Sequence, residues 1–240
     1  MELKERLHTD VYRYSNAIEN PNKLIELIEA SDFNTDINAV VPVWKDWASS
    51  SADGVNFGKK KDLRPECLDQ LQGQSKEDAK YIVDTIQDAI KRLAEAFIKD
   101  RGLDIVANIS PFVGVSKYLP GCAMGAHFDA QSGDESLKYS MIFYLNDDYE
   151  GGEISFIIRE PDLRLPENAH LKPHQNIDHP ENKDLVDFYL KPNAGDALIF
   201  PSTAPYRHQV HEMRSGVKYI VPGFIFVDGY RPYMGEPNES

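Results

Sequence analysis

The spacing of apolar residues along the chain changes near residue 102. Before that point, Leu24, Ile25, Leu27 and Ile28 recur at helical spacing behind Pro21-Asn22, which predicts a short amphipathic helix ending near Ser31-Asp32. A second, longer helix is expected from Ser75, with Glu77 and Asp78 in its first turn. It would run through Ile82, Ile86, Ile90, Leu93 and Phe97 and stop at Gly102. Between the helices Ile37 to Trp47 reads as a strand, followed by a loop of small polar residues from Ala48 to Gly54.

Beyond Gly102 the period shortens to that of strands. β-Branched and aromatic runs occur at Leu103 to Lys117, Tyr139 to Leu145, Ile154 to Ile158, Val186 to Leu190, Ala197 to Phe200 and Val217 to Val227. Gly, Asn, Asp and Pro separate them, so the expected fold is mainly β with flanking α, a sandwich or barrel buttressed by the N-terminal helices. One proline-rich polar segment, Glu160 to Asn182, breaks the rhythm and reads as an excursion from the β core. The expected organisation is one domain over residues 1–240: a helical and β flank over 1–102, the core over 103–228 and a tail over 229–240.

Composition supports a folded chain, with 41% hydrophobic and 27% charged residues. Charge narrows the partners. Lys and Arg total 26 against 39 Asp and Glu, a net charge of −13, and the one dense basic cluster, Lys59-Lys60-Lys61, is flanked by acids. Nucleic acid is not an expected partner, because binding a polyanion requires a basic surface; a neutral or cationic ligand suits this field. Cys67 and Cys122 provide neither a disulfide framework nor a C-x-x-C site and read as ordinary thiols. There is no apolar leader at the amino terminus and no stretch of about 20 apolar residues, so no membrane partner and a cytoplasmic location are expected.

The candidate chemistry begins with His127 and Asp129. Residues i and i+2 of a strand project from one face about 6–7 Å apart, so both side chains could reach one ion. His208, just after the run Ala197 to Phe200, is the candidate third ligand. Two imidazoles and a carboxylate form a facial triad with open positions suited to Fe(II). A lone His-x-Asp pair is common on surfaces and would decide nothing by itself. His211 competes with His208, His170, His174 and His179 read as solvated residues of the excursion, and His8 carries no signal.

Context makes the pair specific. Tyr118-Leu119-Pro120-Gly121 precedes it; Tyr144-Leu145-Asn146-Asp147, Gly151-Gly152-Glu153, Gly195-Asp196-Ala197-Leu198, His208 and Gly216-Val217-Lys218 follow. In order and spacing these motifs resemble the prolyl 4-hydroxylase branch of the iron(II)/2-oxoglutarate-dependent oxygenases, over about Leu103 to Val227. The resemblance implies a double-stranded β-helix, the cupin-like jelly roll. It implies Fe(II), 2-oxoglutarate as co-substrate and O2, with ascorbate as a candidate reductant. His127, Asp129 and His208 fall on the family's iron ligands, and Lys218 on the cation that receives the far carboxylate of 2-oxoglutarate. Unpaired, that carboxylate would be very costly to bury. The gap of ten residues to Lys218 and the His-x-Val pattern favour His208 over His211. Lys218 is expected to return beside the metal on a paired strand across the turn Arg214-Ser215-Gly216.

Tyr118 and Tyr144 match family tyrosines whose hydroxyls line the co-substrate pocket. Ser140 and Ile142 share a face with Tyr144 by alternation and are expected on the same wall, with Ser140 also facing the co-substrate. The implied reaction is hydroxylation of a carbon centre with release of succinate and CO2, and Asp129 argues against halogenation. The expected substrate is a proline-containing peptide. A free amino acid or other small molecule is the alternative within this chemistry, and a non-catalytic jelly-roll binding module is the alternative outside it. Met124 and Leu137 depart from the family pattern, which carries tyrosine and arginine at many of these positions near the expected substrate route.

Overall fold

A computed structural model describes residues 1–30, 44–48, 56–63, 68–69, 71–105, 108–109, 113–130, 137–158, 183 and 185–226. The loop 49–54, the excursion 160–182 with its three histidines, Cys67, residues 37–43 of the expected strand and the tail all lie outside these residues.

Two helices pack on one face of a large sheet. α1 (Pro21–Ala30) starts on a proline, whose missing N–H costs nothing at a first helical position, and buries Leu24 and Ile28. α2 (Gly73–Arg101) buries a stripe running from Ala79 through Ile82, Ile86, Ile90 and Leu93 to Phe97. Each larger aliphatic side chain is worth about 1.5–3 kcal/mol once buried, so docking holds this helix more than propensity does. Gly102 ends it with φ 61, and the amides of Gly102 and Leu103 cap the carbonyls of Lys99 and Ile98. The start differs from expectation. α2 begins two residues earlier than Ser75, behind an extended Gln72, so Glu77 and Asp78 fall beyond the first turn and no side chain caps the helix.

The strands are β1 (Glu2–His8), β2 (Val11–Ser15), β3 (Lys45–Ala48), β4 (Asn56–Leu63), β5 (Asn108–Ile109), β6 (Val113–Tyr118), β7 (Met124–His127) and β8 (Leu137–Tyr144). They continue with β9 (Glu150–Gly151), β10 (Ile154–Ile157), β11 (Phe188–Leu190), β12 (Ala197–Pro201), β13 (Arg207–Val210), β14 (Met213–Ser215) and β15 (Lys218–Phe226). The major sheet has the order β1-β2-β12-β8-β15-β6-β4-β3, with β5 pairing β15, and the minor sheet the order β11-β10-β13-β7. β9 and β14 form a short separate ribbon.

Alternation divides the core in two. One face of the major sheet, with Met141 and Phe143 of β8 and Ala197 and Ile199 of β12, packs on α1 and α2. The other face presents Ile142, Tyr144, Leu198, Phe200 and Ile220 to Ile154, Phe156, Val210 and Met124 of the minor sheet. The fold is therefore mainly β, a double-stranded β-helix with its helices stacked against one sheet.

The β1–β2 hairpin was not expected from the sequence. β1 is largely exposed and rich in charge, so it carries no apolar alternation. β2 is recruited by tertiary pairing: Tyr14, Arg13 and Tyr12 lie opposite Ala197, Leu198 and Ile199 of β12, and Arg13 Nε donates to Asp196 Oδ2 at 2.8 Å. No helix among the described residues is long and apolar enough to cross a membrane.

Candidate metal and co-substrate site

β7 and β13 lie side by side in the minor sheet with His127 directly opposite His208, their ring centroids 4.4 Å apart. β7 ends at His127, and Asp129 stands in the bend that follows, where the Ala130 amide donates to the Ser202 carbonyl at 3.0 Å. Asp129 thus joins the histidines from a turn, not from a continuing strand. Its Oδ1 is 3.3 Å from His127 Nε2 and its Oδ2 is 3.6 Å from His208 Nε2. The three candidate donor atoms lie within 4.8 Å of one another, close enough to hold one ion.

Neighbouring groups orient and tune each ring. His127 Nδ1 donates to the Gly125 carbonyl at 2.8 Å, which aims Nε2 at the cluster. Burial works against its charged form, but the hydrogen bond and charge of Asp129 outweigh it and raise the His127 pKa. Burial also opposes ionisation of Asp129, yet the two imidazoles and the Ser140 hydroxyl hold its carboxyl well below the usual range. His208 is enclosed by the rings of Phe200 and Phe156, at centroid distances of 4.7 and 5.9 Å, and burial lowers its pKa to about 4. At neutral pH His208 is therefore neutral and ready to ligate.

Lys218 lies across the interior. It opens β15, opposite Tyr118 of β6, so it stands in the major sheet and not on a strand paired with β13. The expected hairpin is absent because successive strands of a jelly roll alternate between sheets; the chain leaves β13, passes through β14 and crosses over. Lys218 is 1% exposed, and its ammonium donates to the Gly152 carbonyl at 2.6 Å. The rings of Tyr118, Tyr144 and Tyr149 surround it at 5.3, 5.3 and 5.8 Å. Burial lowers its pKa to about 7, which Glu153 opposes and Lys191 reinforces, and among the described residues no carboxylate forms an ion pair with it. Gly152, at φ 65, makes room: a Cβ there would strike Met213 Sδ and lie 3.3 Å from Lys218 Cδ.

Tyr118 is buried between the two centres. Its phenol feels the charge of Asp129, while its ring faces Lys218. Tyr144 is 1% exposed, and its hydroxyl has no hydrogen-bond partner among the described residues; the same is true of the buried Tyr149 hydroxyl. Ser140 lies at the metal end of this wall, with its hydroxyl 2.7 Å from that of Ser202. His211 stands apart, its Nε2 2.8 Å from Ser155 Oγ and its ring on Tyr189. His8 packs edge-on against Tyr206. Met124 and Leu137 are both buried, opposite Val210 and Phe226.

Sequence reasoning missed Tyr149, Gly152's steric role, and the Phe156 and Phe200 walls. Tyr149 precedes the short strand β9 among acids, where no strand period marks an inward side chain, although it falls inside the stretch Tyr144 to Glu153 that carries the motifs.

The family model described as the 2OG-Fe(II) oxygenase superfamily matches residues 113–226, the β core of this chain. Among curated proteins none matches. Three solved structures share the fold at low identity. A prolyl-4-hydroxylase from Pseudomonas putida is 14% identical, with a TM-score of 0.51 over 91% of this chain and 92% of that one. An oxidoreductase of the 2OG-Fe(II) oxygenase family from Burkholderia pseudomallei is 14% identical, with a TM-score of 0.56 over 94% and 95%. A prolyl hydroxylase from Trichoplax adhaerens, in complex with a hypoxia inducible factor oxygen degradation domain peptide fragment, is 13% identical, with a TM-score of 0.53 over 91% and 84%.

The matched family model implies Fe(II), 2-oxoglutarate and O2, and the residues present fit the metal and the dicarboxylate. The triad offers two nitrogens and one carboxylate to a single ion. The Lys218 ammonium and the Tyr144 and Tyr149 hydroxyls, which have no carboxylate or hydrogen-bond acceptor side chain among the described residues, offer an anion donors to meet.

Proposed function

We propose that this chain is an Fe(II)- and 2-oxoglutarate-dependent dioxygenase that hydroxylates a carbon centre, with a peptidyl proline as the preferred substrate. The observation that carries the reading is the buried Lys218 ammonium, without a counter-ion among the described residues, across the interior from a His-Asp-His cluster. His127, Asp129 and His208 would hold the iron through two nitrogens and one carboxylate oxygen. His208, neutral in the free site, would ligate without losing a proton.

Lys218 and Tyr144 receive the far carboxylate of 2-oxoglutarate, which directs its keto acid end to the metal. Tyr118 lies along the path between them. Ser140 supports Asp129 through its hydroxyl. Phe156 and Phe200 shut water away from His208, while His127 and Asp129 stand partly open toward the side from which a substrate can approach. Once bound, Fe(II) supplies oxidative decarboxylation of the co-substrate to succinate and CO2 and the transfer of one oxygen atom to a substrate carbon.

The peptide substrate is supported by the likeness in fold to prolyl hydroxylases, one of which was solved with a peptide. Incubation of the protein with Fe(II), 2-oxoglutarate, air and a library of proline-containing peptides, with ascorbate present or omitted, tests both parts. Mass spectrometry should show one oxygen gained at a proline with one succinate released. Succinate formed only with free amino acids would move the substrate to the small-molecule class, and no succinate with any substrate would contradict the oxygenase reading.

A further inference from the structure

We propose that the Tyr149 hydroxyl is a further hydrogen-bond donor to the far carboxylate of the co-substrate, alongside Lys218 and Tyr144. This rests on the oxygenase reading above and adds a residue to the pocket that neither the sequence motifs nor the metal cluster singled out.

Tyr149 is 4% exposed and packs in the interior cluster, with its ring 5.8 Å from the Lys218 ammonium. Its phenol is close enough to that of Tyr144 to disfavour ionisation of Tyr144. Neighbours on several sides fix the ring. The Lys191 ammonium stands 4.5 Å from its centroid and donates to the Tyr149 carbonyl at 2.5 Å. A Cβ on Gly216 would lie 3.1 Å from Tyr149 Cβ, and one on Gly152 would lie 3.5 Å from its Cε2. The side chain is therefore held in place, with a buried hydroxyl that has no partner.

Three other buried tyrosines among the described residues pair that group. Tyr14 donates to Asp100 at 2.9 Å, Tyr206 to Asp10 at 2.7 Å and Tyr219 to Glu29 at 2.9 Å. Burial, Asp147, Glu153 and Asp148 all keep the Tyr149 phenol protonated, so it is a donor awaiting an acceptor. A carboxylate seated on Lys218 has two oxygens and room for more than one donor, which matches a lysine ringed by two unpartnered phenols.

The test is a titration of the Mn(II)-loaded protein, free of oxygen, with 2-oxoglutarate and with 2-oxopentanoate, in which a methyl group replaces the far carboxylate. Tyr149→Phe should weaken 2-oxoglutarate binding about tenfold and leave 2-oxopentanoate binding and the melting temperature unchanged. Unchanged affinity for 2-oxoglutarate, or an equal loss with both ligands, would overturn the assignment. Lys218→Met, titrated in parallel, separates the two levels. If it binds 2-oxoglutarate as the wild type does, the pocket itself has been misread; if it alone loses affinity while Tyr149→Phe does not, only the role of Tyr149 falls.

Discussion

The two faces of the major sheet are built from alternate residues of the same strands, yet they differ in how completely their polar atoms are paired. On the helix side Met141 and Phe143 meet α2, and of the tyrosines that reach this core Tyr14 and Tyr219 donate to Asp100 and Glu29, while Tyr12 accepts from Arg101. On the interior side Tyr144 alternates with Phe143, and its hydroxyl has no partner, as the neighbouring Tyr149 has none and Lys218 has no ion pair among the described residues. Trp44 Nε1 is the exception on the helix side, but the phenols there are met by the chain itself, whereas Tyr144 and Tyr149 leave two for a ligand to meet. Stability should therefore follow substitutions on the helix side, and ligand affinity those on the interior side.

The comparison breaks most sharply at the metal. His208→Ala is expected to lower metal affinity by more than about 100-fold and to abolish turnover, whereas His211→Ala, which loses a hydrogen bond to Ser155, should bind metal as the wild type does. A titration with a divalent ion checks this, and the reverse ranking would show that the wrong histidine was assigned. Lys218→Met should weaken 2-oxoglutarate binding about 100-fold while leaving the melting temperature equal or higher, because a buried unpaired ammonium is replaced by an apolar chain of similar length.

On the helix side Phe97→Ala should cost about 3–5 kcal/mol in denaturant unfolding, from the cavity left among Tyr12, Tyr139 and the sheet, with co-substrate affinity unchanged in the folded fraction. The smallest effect is the most selective. Tyr14→Phe should destabilise by about 1 kcal/mol through loss of the bond to Asp100, while Tyr144→Phe, which removes an unpaired hydroxyl, should cost no stability and only weaken 2-oxoglutarate binding. Equal stability losses in the two variants would erase the distinction between the faces.

Much of this contrast was legible in the sequence. Alternation in Tyr139 to Leu145 assigned Ile142 and Tyr144 to one wall, and the order of motifs from Tyr118 to Lys218 drew together side chains that the fold gathers around one interior. Other parts were hidden for identifiable reasons. The β1–β2 hairpin has a charged, exposed outer strand, so its place is set by pairing with β12 and not by a local period. Lys218 was expected on a strand paired with β13, but sequence proximity does not reveal that the chain changes sheets between Val210 and Lys218. Asp129 meets His127 through a bend, a geometry that reading the segment as one extended strand misses. Tyr149 carries no period at all, and only its unpaired buried hydroxyl marks it.

The central claim is that the interior face is completed by a carboxylate on Lys218, and proton linkage tests it most directly. With its pKa lowered to about 7 by burial, Lys218 is part neutral near pH 7 in the free pocket; a bound dicarboxylate restores the ammonium, so binding takes up a proton as pH rises above 7. Calorimetric titration of 2-oxoglutarate in buffers of different ionisation enthalpy should show uptake of about half a proton at pH 7 and about nine-tenths at pH 8, with affinity about fivefold weaker at the higher pH. Binding without proton uptake at either pH, or uptake that persists in Lys218→Met, would contradict the account.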